Sequence, residues 1–192
     1  MMSMLSKKAI AVLLAFILTG LSTVQASDGL AGNRLGGNFT LTDHDNQPFE
    51  LSQLKGSVVL MFFGYATCPD VCPTELGKMS QILKTFASRG DDVKALFVTV
   101  DPARDTPEIL KDYTAYFSKQ LKGLTGTREQ IKKVARQYRV KYQIIQNETD
   151  RIIVDHSSNL YVIDKNGHLE TMIPFGMSVP HVVNVVEWLV KK

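Results

Sequence analysis

Residues 58–73 read VVLMFFGYATCPDVCP, and this stretch decides the architecture. Val58 to Phe63 is a continuous apolar run, the pattern of a central strand buried on both faces. The Cys68-Pro69-Asp70-Val71-Cys72-Pro73 segment then leads into a stretch whose apolar positions Leu76, Met79, Leu83 and Phe86 recur at helical spacing. Proline is accepted in the first turn of a helix, where its missing N–H is not needed. The reading therefore starts the helix at Pro73, caps it with Cys72 and leaves Cys68 in the preceding loop. A helix dipole there favours a thiolate at Cys72, and the loop lets both sulfurs converge on one point.

Outward from this centre, Ala95 to Val100 reads as a second buried strand, ending in Asp101-Pro102-Ala103-Arg104-Asp105-Thr106-Pro107. Asp105 or Thr106 caps the next helix, with Pro107 in its first turn and Ile109, Leu110, Tyr113 and Phe117 buried. Asp101, Arg104 and Asp105 read as capping groups and an internal ion pair. Thr127 and Gln130 form a capping box for a third helix carrying Ile131, Val134 and Tyr138. Leu160–Asp164 and Leu169–Ile173 flank Asn166-Gly167, a hairpin signal. A last helix starts near Ser178 and Pro180 and buries Val183, Val186 and Leu189. On the N-terminal side, Asn38–Leu41 and Phe49–Leu51 flank a turn at Asp43–Asn46. The pattern predicts an α/β sandwich, a mixed central sheet with flanking helices, as a single domain over residues 36–192.

Ahead of that domain, Lys7 and Lys8 precede an apolar run from Ala9 to Leu21, followed by Val24-Gln25-Ala26. This is the pattern of a secretory signal peptide over residues 1–26, with an uncleaved membrane anchor as the alternative, and a linker over 27–35. Either way the domain is expected outside the cytoplasm. The 192 residues carry a formal net charge of only +3, which gives no footprint for nucleic-acid binding. Lys132, Lys133, Arg136, Arg139 and Lys141 do cluster, and at helical spacing they read as a solvated face.

An exported pair of cysteines defaults to a disulfide. Cys68 and Cys72, however, close so small a loop that a bridge there removes little unfolded-state entropy. Stability is a poor reason for the pair. Two close thiolates suit a soft ion such as Cu(I). Among four histidines, His156 is the best placed third ligand, between the strand-like Ile152-Ile153-Val154-Asp155 and the strand at Leu160. By spacing alone it is equally a turn residue. His44 and His168 fall in hairpin turns and His181 near a helix start. Two cysteines and one histidine do not make a closed structural zinc site.

Thr67-Cys68-Pro69-Asp70-Val71-Cys72-Pro73-Thr74-Glu75-Leu76, Asp101-Pro102-Ala103-Arg104-Asp105-Thr106-Pro107 and Asp155-His156-Ser157 closely resemble the SCO/SenC family. The likeness runs in order from about Gly36 to the C-terminus and includes Leu124-Thr125-Gly126-Thr127. It implies a thioredoxin-like fold and copper, as Cu(I) or Cu(II), held by Cys68, Cys72 and His156, with Asp155 orienting or tuning the histidine. It also implies a role in assembling the CuA centre of cytochrome c oxidase, with the CuA subunit and a copper donor as partners. The family usually keeps a membrane anchor, which would tie the chain to the inner membrane facing the periplasm; the Val24-Gln25-Ala26 site is the pattern of a cleaved signal and leaves a released periplasmic chain as the other expectation.

The leading expectation is a metallochaperone. Its rival is a thiol–disulfide oxidoreductase using Cys68 and Cys72 as a redox-active pair to reduce partner cysteines before metallation. Thioredoxins proper place two residues between their cysteines, whereas three intervene here. A peroxidase is disfavoured, because Tyr65 stands where peroxiredoxins place a threonine.

Overall fold

The computed structural model describes residues 35–146, 152–156 and 158–192, with residues 90–91, 144–146 and 152–156 described through their backbone. The expected signal peptide over 1–26 and all but the last residue of the expected linker over 27–35 lie outside the described residues. Among the described residues, no helix is long and apolar enough to cross a membrane.

The strands are β1 (Thr40–Asp43), β2 (Pro48–Glu50), β3 (Val58–Gly64), β4 (Val93–Thr99), β5 (Leu121–Thr125), β6 (Tyr142–Gln146), β7 (Ile152–His156), β8 (Leu160–Ile163) and β9 (Leu169–Ile173). The helices are α1 (Val71–Thr85), α2 (Pro107–Phe117), α3 (Arg128–Gln137) and α4 (Val179–Lys191). Seven strands form one sheet in the order β2-β1-β5-β4-β3-β8-β9, and β6 and β7 pair apart from it. β3, β4 and β5 run parallel, while β1, β2, β8 and β9 are antiparallel to their neighbours. This is the mixed sheet with flanking helices that the pattern of strands and helices predicts.

β3 is buried at every position because it lies between β4 and β8 with side chains packed on both faces. Register shows how the faces divide. Phe62 lies opposite Phe97, whose ring meets Tyr113 of α2 at 5.4 Å. Phe63 points the other way and meets Tyr138, just past α3, at 6.0 Å. Tyr138 is fully buried, packs edge-on to Phe39 and Tyr161, and donates its hydroxyl to the Gly37 carbonyl at 2.7 Å. On the α2 side, Ser80 of α1 donates to the Phe117 carbonyl at 2.7 Å and fastens α1 to the end of α2.

The caps follow the sequence closely. Thr106 Oγ1 accepts from the Ile109 N–H, with Pro107 opening α2, and the Thr127–Gln130 capping box is complete at the start of α3. One expected core position is wrong: Ile109 is 46% exposed. Tyr113, Phe117 and Val183 are half-buried against the core, and in α4 Val182 is buried more deeply beside Val186 and Leu189. Ile109 lies next to the true apolar stripe, where a helical period of 3.6 tolerates either reading.

Removing the Tyr138 hydroxyl alone leaves the Gly37 carbonyl without its donor. Tyr138→Phe should therefore cost about 1 kcal/mol, and Tyr138→Ala, which empties the core beneath α3, about 3–5 kcal/mol. Urea unfolding followed by circular dichroism measures both; a Tyr138→Ala chain as stable as the parent would contradict this packing.

Candidate metal centre

The site lies where β3 leaves the sheet. Beyond Gly64 the chain turns through Tyr65, Ala66 and Thr67, and the Cys68 N–H donates to the Tyr65 carbonyl at 3.1 Å. α1 then begins at Val71, with Asp70 in the cap position, so Cys72 lies inside the first turn and is not the cap. The earlier start is tolerated because the carbonyl that the Pro73 ring would strike belongs to Pro69, outside the helix. The first helical hydrogen bond runs from the Thr74 N–H to the Asp70 carbonyl at 3.2 Å.

Cys68 and Cys72 form no disulfide and lie close enough for Cys68 to act on the Cys72 thiol, with Cys68 partly exposed and Cys72 completely buried. The Cys72 sulfur rests against the strand at Gly64: a Cβ there would meet Cys72 Sγ at 2.7 Å and Phe97 Cε2 at 2.8 Å. Only a residue without a side chain lets the sulfur sit so close to the sheet. Burial, and then the proximity of Cys68 and Asp105, push the Cys72 thiol far above the usual thiol range. Burial thus works against the thiolate expected at Cys72.

Beneath the cysteine loop lies Asp105, 1% exposed. Its Oδ2 accepts from the Thr99 hydroxyl at 2.6 Å and from the Ala66 N–H at 3.0 Å, and its carbonyl accepts from the Thr125 hydroxyl at 3.1 Å. Burial pushes its carboxyl above the usual carboxylate range, against these hydrogen bonds. Asp101 pairs with Arg104, as expected, and the Arg104 guanidinium lies 5.9 Å from the centre of the Tyr65 ring. The Tyr113 hydroxyl is buried and has no hydrogen-bond partner among the described residues. Burial, then Cys72, Cys68 and Asp105, push it well above the usual phenol range.

His156 is the last residue of β7, opposite Tyr142 of β6, and so ends a strand instead of sitting on a loop. Its side chain and that of Asp155 lie outside the described residues, as does Ser157. The other histidines are otherwise engaged or exposed. His44 Nδ1 accepts from the Gly123 N–H at 3.2 Å, and burial and Lys122 hold its imidazole below the usual range. His168 lies 3.6 Å from Asp164 across the hairpin turn, and His181 is exposed in the first turn of α4. Among the described residues, no three ligating side chains form a cluster. What the structure brings together is the two sulfurs, backed by Gly64, Asp105 and Tyr113. Sequence reading assigned no role at the site to Gly64, Thr99 or Thr125; the glycine that closes a wholly apolar strand just before the cysteines was the available signal.

Parallel central strands, a dithiol at the mouth of the loop after β3 and a helix opening on its second cysteine define a thioredoxin-like dithiol protein. The chain belongs to the SCO1/SenC family, whose model matches residues 27–191. It is 40% identical over 136 residues to the SCO2-like protein of Rickettsia felis, a match covering 70% of this chain and 66% of that protein. It is 43% identical over 136 residues to the mitochondrial SCO1 homolog of Homo sapiens, covering 69% of this chain and 45% of that one. The chain thus spans between about half and two thirds of these relatives' length. The structure of Bradyrhizobium japonicum ScoI, solved with copper bound, superimposes with a TM-score of 0.75 at 34% identity, covering 81% of this chain and 99% of that one.

The Asp105 contacts yield a test. Asp105→Ala strands the Ala66 N–H and should cost about 1–3 kcal/mol. Asp105→Asn keeps an acceptor for it. In the parent, the raised carboxyl retains its proton to higher pH in the folded state than in the unfolded chain. Its contribution is therefore most favourable in acid and declines as pH rises from the ordinary carboxylate range through the raised value. Asp105→Asn should remove that decline. Unfolding free energies measured against pH should show the variant gaining on the parent across that window; parallel curves would refute it.

Proposed function

We propose that the chain binds one copper ion through Cys68, Cys72 and His156 and delivers it to the CuA centre of cytochrome c oxidase. It would do so as an exported protein, periplasmic or held at the inner membrane by its N-terminus. The observation that carries this reading is the pair of adjoining thiols at the end of β3, in a family with a solved member that holds copper. Two sulfurs are soft donors for Cu(I), and an imidazole extends the set to Cu(II). The cradle at Gly64 fixes one sulfur, while the partly exposed Cys68 leaves the other open to an incoming partner. With the Cys72 thiol pushed up, its proton is released as the metal arrives, so loading is expected to weaken in acid.

One observation favours a second reading. An exposed first cysteine and a buried second one also suit thiol–disulfide exchange. There Cys68, as thiolate, attacks a partner disulfide and forms a mixed disulfide, releasing the partner's first sulfur as a thiolate that takes up a proton. Cys72, on losing its proton, then attacks the Cys68 sulfur and releases the second. The partner gains two thiols, and this chain is oxidised to a Cys68–Cys72 disulfide.

The reduced chain should take up one copper per molecule, and Cys68→Ser should abolish tight binding. Copper retained in stoichiometric amount by that variant, measured by elemental analysis after dialysis, would remove Cys68 from the site. His156→Ala separates the two readings. It spares both sulfurs, so disulfide reduction in vitro should continue at a similar rate, while oxidase activity in copper-limited cells carrying only this variant should fall. Normal oxidase activity there would favour the reductase.

A further inference from the structure

The basic residues expected on a solvated face are exposed, and three of them also line a groove. Arg128, Lys132 and Arg136 recur at every fourth position of α3 and so form one stripe along it. The stripe borders a groove of about 580 Å³ between α3, the Asp101–Ala103 turn and the start of β6. Lys141 lines the same groove from the β6 side. Its floor is apolar, made by Val100, Ala135 and Val140, with Tyr142 at the edge. Like charges four residues apart weaken a helix unless something neutralises them. Among the described residues, none of the three stripe cations makes an ion pair, and the only carboxylate lining the groove, Asp101, is engaged by Arg104.

We propose that this groove docks a partner protein through an extended acidic segment. Carboxylates at alternate positions would meet Arg128, Lys132 and Arg136, and apolar side chains between them would face the floor. The spacing supports an extended segment. Cations four residues apart on a helix are separated by about 6 Å, and alternate side chains of a strand by about 6.6 Å. Concavity and an apolar floor favour a protein segment over a flat anionic lipid surface, which would reach the exposed cations but not the floor. The groove shares the Asp101–Ala103 turn, which leads directly into Asp105 beneath the cysteine loop. The inference does not depend on copper and is tested on metal-free protein.

The probe is a short, end-capped, fluorescein-labelled peptide alternating aspartate with leucine, its anisotropy followed as the full-length chain is added. Saturable binding should weaken as salt rises. Lys132→Glu and Arg136→Glu should each weaken it about tenfold or more, a full decade in Kd. Lys133→Glu, which adjoins the stripe but does not line the groove, should change it less than about twofold. Thermal melts of the three variants confirm that the helix is intact. Three outcomes overturn the proposal: no saturable binding, equal loss in Lys133→Glu, or equally tight binding of a peptide with the same composition and its aspartates in one block. Binding to phosphatidylglycerol vesicles without binding to the peptide would also overturn it, in favour of a membrane surface.

Discussion

One buried carboxyl holds the working end of the sheet together. Asp105 takes the Ala66 N–H from the loop after β3, the Thr99 hydroxyl from the end of β4 and, through its own carbonyl, the Thr125 hydroxyl from the end of β5. The ends of three parallel strands thus converge on one residue. Such a group is tolerated in the interior only while its hydrogen bonds are made, so none of the partners can drift without exposing it to the full penalty of burial. The Asp105 N–H is itself tied to the Asp101 carbonyl at 3.0 Å, and the Val100 N–H to the Gly64 carbonyl at 2.8 Å. The cysteine loop is therefore positioned by the sheet beneath it.

That arrangement explains the asymmetry of the two thiols. Cys72 is carried on α1, which packs over the α2 face of the sheet and presses its sulfur onto the strand. Cys68 belongs to the turn and keeps a path to solvent. The same short segment thus supplies one donor fixed by packing and one that can meet a partner. Burial is the largest influence on Cys72, and the Tyr113 hydroxyl and the Asp105 carboxyl share its low-polarity surroundings.

The sequence was readable wherever structure is decided locally. The β3 run, the Thr127–Gln130 box and the turn at Asn166-Gly167 each carry their signal within a few residues, and each forms as expected. β5 was not readable, because Lys122 and Gly123 interrupt its apolar pattern. Gly123 is there because a Cβ would lie 2.9 Å from the Leu110 Cβ of α2, a neighbour far away in sequence. β6 had no apolar run to announce it and is defined by its pairing with β7. α1 starts earlier than the proline rule predicts because the carbonyl at risk of a clash lies in the loop, outside the helix. At the site, the two cysteines and the Asp101–Arg104 pair could be seen in advance. The fastening of Ala66, Thr99 and Thr125 to Asp105 could not, since it joins residues brought together only by the fold.

The contact between Gly64 and the Cys72 sulfur also makes this thiol a gauge of motion. A thiol-alkylating reagent reaches Cys68 directly, whereas Cys72 reacts only when the first turn of α1 lifts off the strand. In the reduced chain the slow phase of labelling therefore times the opening of that turn, a natural clock at the place where a metal or a partner sulfur must enter.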